Sequence, residues 1–126
     1  MRETIFSENA PAPIGPYSQA VQVGNQFYFS GQIGLDPQTG MFASQDVSEQ
    51  TVQVMKNIKA IMEVKGLVFS DVVKTSIFLK DMNDFPKVNE VYATYFQDNY
   101  PARETVEVSR LPKDALVEIS VICVKN

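Results

Sequence analysis

The segment Leu116–Val124 constrains the fold most strongly, because it is apolar on both faces of a strand. Successive side chains of a strand point to opposite faces of a sheet, and strands that are apolar on both faces are buried on both. The rest of the chain has only two helical patterns, and two helices cover one face of a sheet. We therefore expect another copy of the chain to cover the second face, and we predict a homo-oligomer.

Two segments have the periodicity of amphipathic helices. Apolar residues recur at three- and four-residue steps across residues 46–65, which predicts a helix of about 20 residues. Asp46 or Ser44 can cap its start, and Gly66 suits the left-handed position after its end. A second helix of about 15 residues is predicted between the cap Asp84 and the stop Pro101.

The remaining periodic segments predict strands. A Gly-Asn pair at residues 24–25 separates two β-type runs, which is typical of a tight hairpin. The order β-β-α-β-α-β-β predicts an α+β fold with a single mixed or antiparallel sheet and two helices on one face. No linker or repeat interrupts residues 1–126, so we expect one domain. The predicted strands are Gln19–Val23, Gln26–Ser30, Val72–Leu79, Glu104–Ser109 and Leu116–Val124.

Composition excludes several classes of function. The chain has no histidine and one cysteine, Cys123, which excludes Ser-His-Asp and Cys-His catalysis, histidine metal ligation and an internal disulfide. Eleven basic and fifteen acidic residues give a net charge of −4, which disfavours nucleic-acid binding. No apolar run is long enough to span a bilayer, and no secretory signal is visible. We expect a cytoplasmic protein without membrane, metal or cofactor.

Two charged residues are the strongest candidates for chemistry. Glu118 lies within the apolar strand, where a carboxylate is costly unless it is paired or faces a pocket. It either orients water and holds a proton, or it is a surface-facing glutamate at a sheet edge. Arg103 follows the second helix at the start of a strand. Its planar guanidinium can bind a carboxylate with two hydrogen bonds, and the alternative is a surface ion pair.

Three further residues can present polar groups to a ligand. Tyr17 and Ser30 offer hydroxyls, and Gly31 offers an unobstructed backbone amide. Ordinary packing and turn chemistry are the alternatives at each position. Thr105 can reach a ligand through its amide or hydroxyl, although a threonine in a strand needs no special explanation.

The chain resembles the RidA/YjgF family, the reactive-intermediate (enamine/imine) deaminases, over essentially its whole length. The resemblance rests on several motifs taken together, each of which is weak alone. They are Asn-Ala-Pro-Ala-Pro-Ile-Gly-Pro-Tyr-Ser-Gln at 9–19, Ser-Gly-Gln-Ile at 30–33, Lys-Asp-Met-Asn-Asp-Phe at 80–85, Pro-Ala-Arg at 101–103, Val-Glu-Val at 106–108 and Leu-Pro-Lys-Asp-Ala-Leu-Val-Glu-Ile at 111–119.

This resemblance implies a chorismate-mutase-like fold and a homotrimer with a ligand pocket at each subunit interface. It implies that Arg103 holds the substrate carboxylate and that Glu118 positions or activates the attacking water. Tyr17 and Ser30 match pocket residues of the family. Backbone groups at Gly31 and Thr105 match positions that approach the ligand.

The chain departs from the family pattern after Arg103. Many members have a small residue and then a cysteine, whereas this chain has Glu104 and Thr105. We include Glu104 among the substrate-binding candidates, because a carboxylate facing the pocket would compete for the guanidinium. Strand alternation instead directs it to the opposite face.

The resemblance implies hydrolysis of 2-imino acids and their enamine tautomers to 2-oxo acids and ammonia, without metal or cofactor. Such intermediates leave pyridoxal-phosphate dehydratases that act on serine or threonine. The alternative is a non-catalytic protein that binds 2-oxo acids or related carboxylates in the same pocket. A ribonuclease is disfavoured by the net charge and by the absence of histidine.

Overall fold

The strands within residues 2–126 lie in one six-stranded sheet with the order β1-β2-β3-β6-β4-β5. The computed structural model describes residues 2–126. Every neighbouring pair of strands is antiparallel except β4 and β5, which are parallel. The sequence predicted a mixed or an antiparallel sheet, and the sheet is mixed. The strands are β1 (Arg2–Ile5), β2 (Ala20–Val23), β3 (Gln26–Phe29), β4 (Val72–Leu79), β5 (Ala102–Glu107) and β6 (Val117–Val124).

The first helix, α1, spans Val47–Val64, close to the predicted bounds. It begins at Asp46, whose side chain accepts a hydrogen bond from the Glu49 amide at 3.0 Å, the usual action of an N-cap carboxylate. It ends before Gly66, which has a φ of +67° and so adopts the left-handed conformation that glycine tolerates best. The buried stripe of α1 lies against the sheet and forms most of the core.

The second helix, α2, spans only Phe85–Ala93, so the expected length of about 15 residues was too long. The Thr94 hydroxyl donates to the Val91 carbonyl at 2.6 Å, which satisfies an oxygen at the helix end. Asn99 then adopts a φ of +51°, which an α-helix cannot accommodate. The connection β4–α2–β5 forms a helical crossover, which explains why β4 and β5 run parallel.

The two faces of the sheet have different surroundings. Val117, Ile119, Val121 and Cys123 of β6 are buried in the core beneath the helices. The alternate residues of β6, from Glu118 to Val124, are only half-buried. The prediction that two helices leave the second face incompletely covered is therefore confirmed. The oligomer inferred from it stays a prediction.

Strand β1 was not predicted from the sequence. It is a short edge strand, and three of its four residues are exposed, so it lacks the apolar alternation that marks a half-buried strand. Backbone pairing with β2, in register from Arg2 opposite Val23 to Ile5 opposite Ala20, holds it in place. Within residues 2–126, neither helix combines the length and the apolar character that crossing a membrane requires.

Candidate functional site

A cavity of about 360 Å³ brings together four of the predicted site residues. Glu118 enters it from the half-covered face of β6, and Ser30 and Gly31 enter from the segment that follows β3. Tyr17 enters from the proline-rich segment near the N-terminus. Most of the remaining wall is apolar and includes Pro11, Ala12, Ile14, Ile33, Leu35 and Pro112.

Glu118 supplies the only carboxylate that lines this cavity among the described residues. No hydrogen bond or ion pair to its side chain is formed within residues 2–126. Burial raises its pKa above the ordinary value of 4.5, because desolvation disfavours the charged form. A carboxylate with a raised pKa is a stronger base, and it is therefore better suited to accept and return a proton.

Gly31 permits the close approach of Glu118 to the neighbouring backbone. A Cβ atom at position 31 would lie 2.7 Å from the Glu118 Cδ and 2.9 Å from its Cγ, and nearer still to Oε2. These separations are too short for ordinary van der Waals contact. The sequence motif identified Gly31 for its accessible amide, and the structure adds that any side chain here would displace the carboxylate.

Buried amide side chains hold the walls of this cavity. The Gln19 amide accepts from the Ser7 N–H at 2.6 Å and donates to the carbonyl of Pro11 at 2.9 Å. Asn57 of α1 donates to the carbonyls of Ile33 and Leu35 at 3.2 and 3.0 Å. These two residues were missed by sequence reasoning, although Gln19 lies within the first motif. Asn57 lies in the buried stripe of α1, and a polar residue within that apolar pattern was the signal that could have identified it.

A strained loop places Pro112 against the same cavity. Lys113 and Asp114 have φ values of +55° and +58°, a left-handed conformation that is unfavourable for residues with a Cβ. Arg110 donates two hydrogen bonds to the Asp114 carboxylate, at 2.7 and 3.2 Å. This pairing lowers the pKa of Asp114.

Arg103 lies in a second cavity, of about 580 Å³, formed by α2 and the segment before β5. Its guanidinium donates to the Asn89 Oδ1 at 2.7 Å. The guanidinium carbon lies 5.5 Å from the ring centre of Phe85 and 5.1 Å from that of Tyr92. No carboxylate of the described residues lies within 4.0 Å of it. The surface ion pair that was the alternative for Arg103 is therefore not formed within residues 2–126.

Arg103 and Glu118 point to opposite faces of the sheet. Arg103 is paired with Thr75 of β4, which faces the helices, whereas Glu118 is paired with Phe78, which faces away from them. Strands β5 and β6 flank β4, so the two residues are separated by about two strand spacings and three residues along the sheet. That places their Cα atoms roughly 14 Å apart. One chain therefore does not bring the two predicted catalytic residues into one site.

The two residues that depart from the family pattern also lie on different faces. Glu104 faces away from Arg103; it forms an ion pair with Lys74 at 3.1 Å and a hydrogen bond with the Ser76 hydroxyl. Those two partners lower its pKa, with Ser76 having the larger effect. Thr105 shares the face of Arg103, and its Oγ1 is buried without a hydrogen-bond partner in residues 2–126.

In the described residues, the cysteine thiol and the acidic side chains are not arranged for thiol or metal chemistry. Cys123 is buried, and burial raises the pKa of its thiol to about 12, so the nucleophilic thiolate is suppressed. In the described part of the chain, no three acidic or cysteine side chains are grouped as metal ligands.

Comparison with known proteins identifies the family. The model of the family described as endoribonuclease L-PSP matches residues 7–125. A RutC family protein of Pyrococcus horikoshii is 58% identical over the full length of both chains, and a 2-iminobutanoate/2-iminopropanoate deaminase of Salmonella typhimurium is 51% identical over the full length of both. The crystal structure of Escherichia coli TdcF with bound serine, 42% identical, matches with a TM-score of 0.93 over 98% of this chain and 99% of that one. The chain therefore belongs to the endoribonuclease L-PSP family, which includes the RutC and RidA/YjgF proteins, and the family resemblance seen in its motifs is confirmed.

Proposed function

We propose that the protein hydrolyses 2-imino acids, and their enamine tautomers, to 2-oxo acids and ammonia. The observation that carries this proposal is a pair of unpartnered charges. Arg103 has no acidic partner in the described chain, and Glu118 is desolvated and unpaired in its cavity. Relatives about half identical to the chain carry the name 2-iminobutanoate/2-iminopropanoate deaminase, which supports this reaction.

The proposed active site lies between two copies of the chain. Arg103 and Glu118 occupy separate cavities on opposite faces of the sheet, so a small substrate touches both only if each comes from a different subunit. The incompletely covered sheet face supplies a surface for association, with exposed apolar side chains such as Val23, Tyr28 and Val106. We propose a homotrimer with three such sites, as the family resemblance implies.

The two residues have complementary tasks in this proposal. Arg103 binds the carboxylate of the substrate with a planar pair of hydrogen bonds, which fixes the position of C2. The protonated imine carbon at C2 is already electrophilic. A water molecule adds to C2 while the Glu118 carboxylate accepts a proton from it.

The second half of the reaction reverses the direction of proton transfer. Addition of water gives a tetrahedral carbinolamine that carries both a hydroxyl and an amino group on C2. Protonation of the amino group by the Glu118 carboxyl makes it a leaving group, and the C–N bond breaks. The released ammonia takes up the hydroxyl proton, which leaves a 2-oxo acid and an ammonium ion, and Glu118 has already returned to the carboxylate by protonating the amino group. The raised pKa of Glu118 suits both steps.

The likeness to TdcF supports a ligand of this chemical class. That structure contains bound serine, a small molecule with a carboxylate and an amino group on the adjacent carbon. A 2-imino acid has the same carboxylate and a nitrogen on the same carbon. The apolar wall around Glu118 is suited to the aliphatic part of a small substrate.

The reaction is tested by adding the protein to a dehydratase acting on serine or threonine and timing the release of the 2-oxo acid. We expect the wild type to accelerate the release. Arg103→Ala should lower kcat/KM by about 10-fold or more, because hydrogen bonds to charged groups contribute about 1.5–3 kcal/mol. Arg103→Lys should restore little, since an ammonium lacks the planar geometry of the guanidinium.

Glu118→Gln distinguishes the deaminase from a protein that only binds carboxylates. This variant keeps the shape of the side chain but removes its basic oxygen. We expect about a 100-fold loss of turnover, the scale of general acid–base catalysis, with the affinity for 2-oxobutyrate retained in calorimetry. If the wild type and Glu118→Gln both leave the imine to hydrolyse at the rate in buffer, the deaminase proposal is wrong and the binding alternative is favoured.

A further inference from the structure

One face of α2 forms a cradle around the Arg103 guanidinium. Phe85, Asn89 and Tyr92 are spaced by four and three residues, so they lie on the same side of the helix. The Asn89 amide oxygen accepts a hydrogen bond from Arg103 at 2.7 Å. The rings of Phe85 and Tyr92 lie within 5.5 Å of the guanidinium carbon, a distance at which an aromatic face attracts a cation.

A hydrogen bond from Tyr92 connects this cradle to the sheet. The Tyr92 hydroxyl donates to the Thr75 Oγ1 at 3.1 Å, and both side chains are buried. Thr75 is the residue of β4 that is paired with Arg103 of β5. The helix α2, strand β4 and strand β5, which carries Arg103, are thus connected in a closed path. This path limits the orientations that the guanidinium can adopt.

The side-chain partner of Arg103 is neutral, whereas four other basic residues have carboxylate partners. Lys65, Lys74, Arg110 and Lys125 each form an ion pair with a carboxylate. Arg103 instead bonds to an amide, although Glu90, the residue after Asn89, lines the same cavity. A carboxylate at position 89 would keep the hydrogen bond but would neutralise the guanidinium.

We propose that Asn89 is a positioning and specificity-determining residue: it orients Arg103 through a neutral acceptor and so leaves the full positive charge available for an anionic substrate. This inference rests on the proposed function, because it takes Arg103 as the group that binds the substrate carboxylate. It assigns Asn89 an effect on the affinity for carboxylates rather than on the chemical step.

Two substitutions separate this role from a merely structural one. Asn89→Asp keeps an acceptor of the same size and adds a charge, whereas Asn89→Leu removes the acceptor without adding one. If Asn89 only held the local structure, Leu would be the more harmful change. If its neutrality matters, Asp is the more harmful, because its carboxylate competes with the ligand for the guanidinium.

The experiment measures the dissociation constant of 2-oxobutyrate by calorimetry, and kcat and KM in the dehydratase-coupled assay. We expect Asn89→Asp to weaken binding by about 10-fold or more, the scale of one charge-assisted hydrogen bond, and to raise KM with little change in kcat. Asn89→Leu should weaken binding by less. Asn83→Asp, an exposed position in the turn before α2, makes the same change in net charge and should leave both constants near the wild-type values.

The outcomes distinguish this inference from the proposed function. If Arg103→Ala weakens binding but Asn89→Asp does not, or if Asn89→Leu is the more harmful variant, the role of Asn89 is refuted and the function stands. If the wild type does not bind 2-oxobutyrate, or if Arg103→Ala binds it as tightly, both are refuted. Should Asn89→Asp fail to fold, a dissociation constant for Asn89→Leu equal to that of the wild type refutes the positioning role.

Discussion

Mixing two impaired variants should restore activity if the active site is shared between subunits. Arg103 and Glu118 lie on opposite faces of one sheet, so each proposed site takes its guanidinium from one chain and its carboxylate from another. Arg103→Ala and Glu118→Gln each damage every site of a uniform oligomer. In a mixed oligomer, a site is intact when an Arg103→Ala chain supplies Glu118 and a Glu118→Gln chain supplies Arg103.

The size of the recovery follows from random assembly. In an equal mixture, the subunit that supplies the guanidinium is a Glu118→Gln chain with a probability of one half. The subunit that supplies the carboxylate is an Arg103→Ala chain with the same probability. About one quarter of the sites are therefore intact in a symmetric oligomer. A site contained within one chain would have no intact copies in this mixture. The expected activity is therefore about 25% of that of the wild type at the same total chain concentration.

The assay is release of the 2-oxo acid after the two variants are unfolded together and refolded, with native mass spectrometry to verify mixed oligomers. The matched control is an equal mixture of wild-type chains and chains carrying both substitutions. A shared site predicts about one quarter of wild-type activity in this control, and a site within one chain predicts about one half. Verified mixed oligomers with no recovery from the two single variants would refute the shared site.

Two further predictions concern Glu118. Gly31→Ala places a methyl group against the Glu118 carboxylate. We therefore expect turnover to fall by about 10-fold or more, while binding of 2-oxobutyrate survives. The control is Gly15→Ala, whose methyl group would lie 3.6 Å from the Tyr17 ring and which should behave like the wild type. Loss of binding together with turnover would contradict this expectation. Burial raises the pKa of Glu118, so its charged form destabilises the folded state at neutral pH. Glu118→Gln should therefore have a higher Tm than the wild type at pH 7, and the difference should disappear as the pH falls through the raised pKa and below the ordinary value of 4.5. An equal Tm at pH 7 would contradict the desolvation argument.

Helix α1 and the β2–β3 hairpin were predictable because the sequence pattern that specifies each of them lies within one continuous segment. The apolar stripe of α1 and its cap Asp46 lie within one continuous segment, and the helix begins and ends close to the predicted residues. The hairpin of β2 and β3 follows from Gly24, whose φ of +61° suits its turn. Strand β1 was not predictable in this way, because its stability comes from pairing with β2 rather than from its own composition.

The sequence by itself determined which chemical groups are available and that two helices leave one face of the sheet without a cover. The absence of histidine, the isolated carboxylate of Glu118 and the guanidinium of Arg103 are properties of residue type. Only the tertiary structure decided how these groups are arranged, because strand register and helix packing join residues that are distant in the chain. The register of β4 with β5 and β6 placed Arg103 and Glu118 on opposite faces, and the packing of α2 gave Arg103 the neutral partner Asn89.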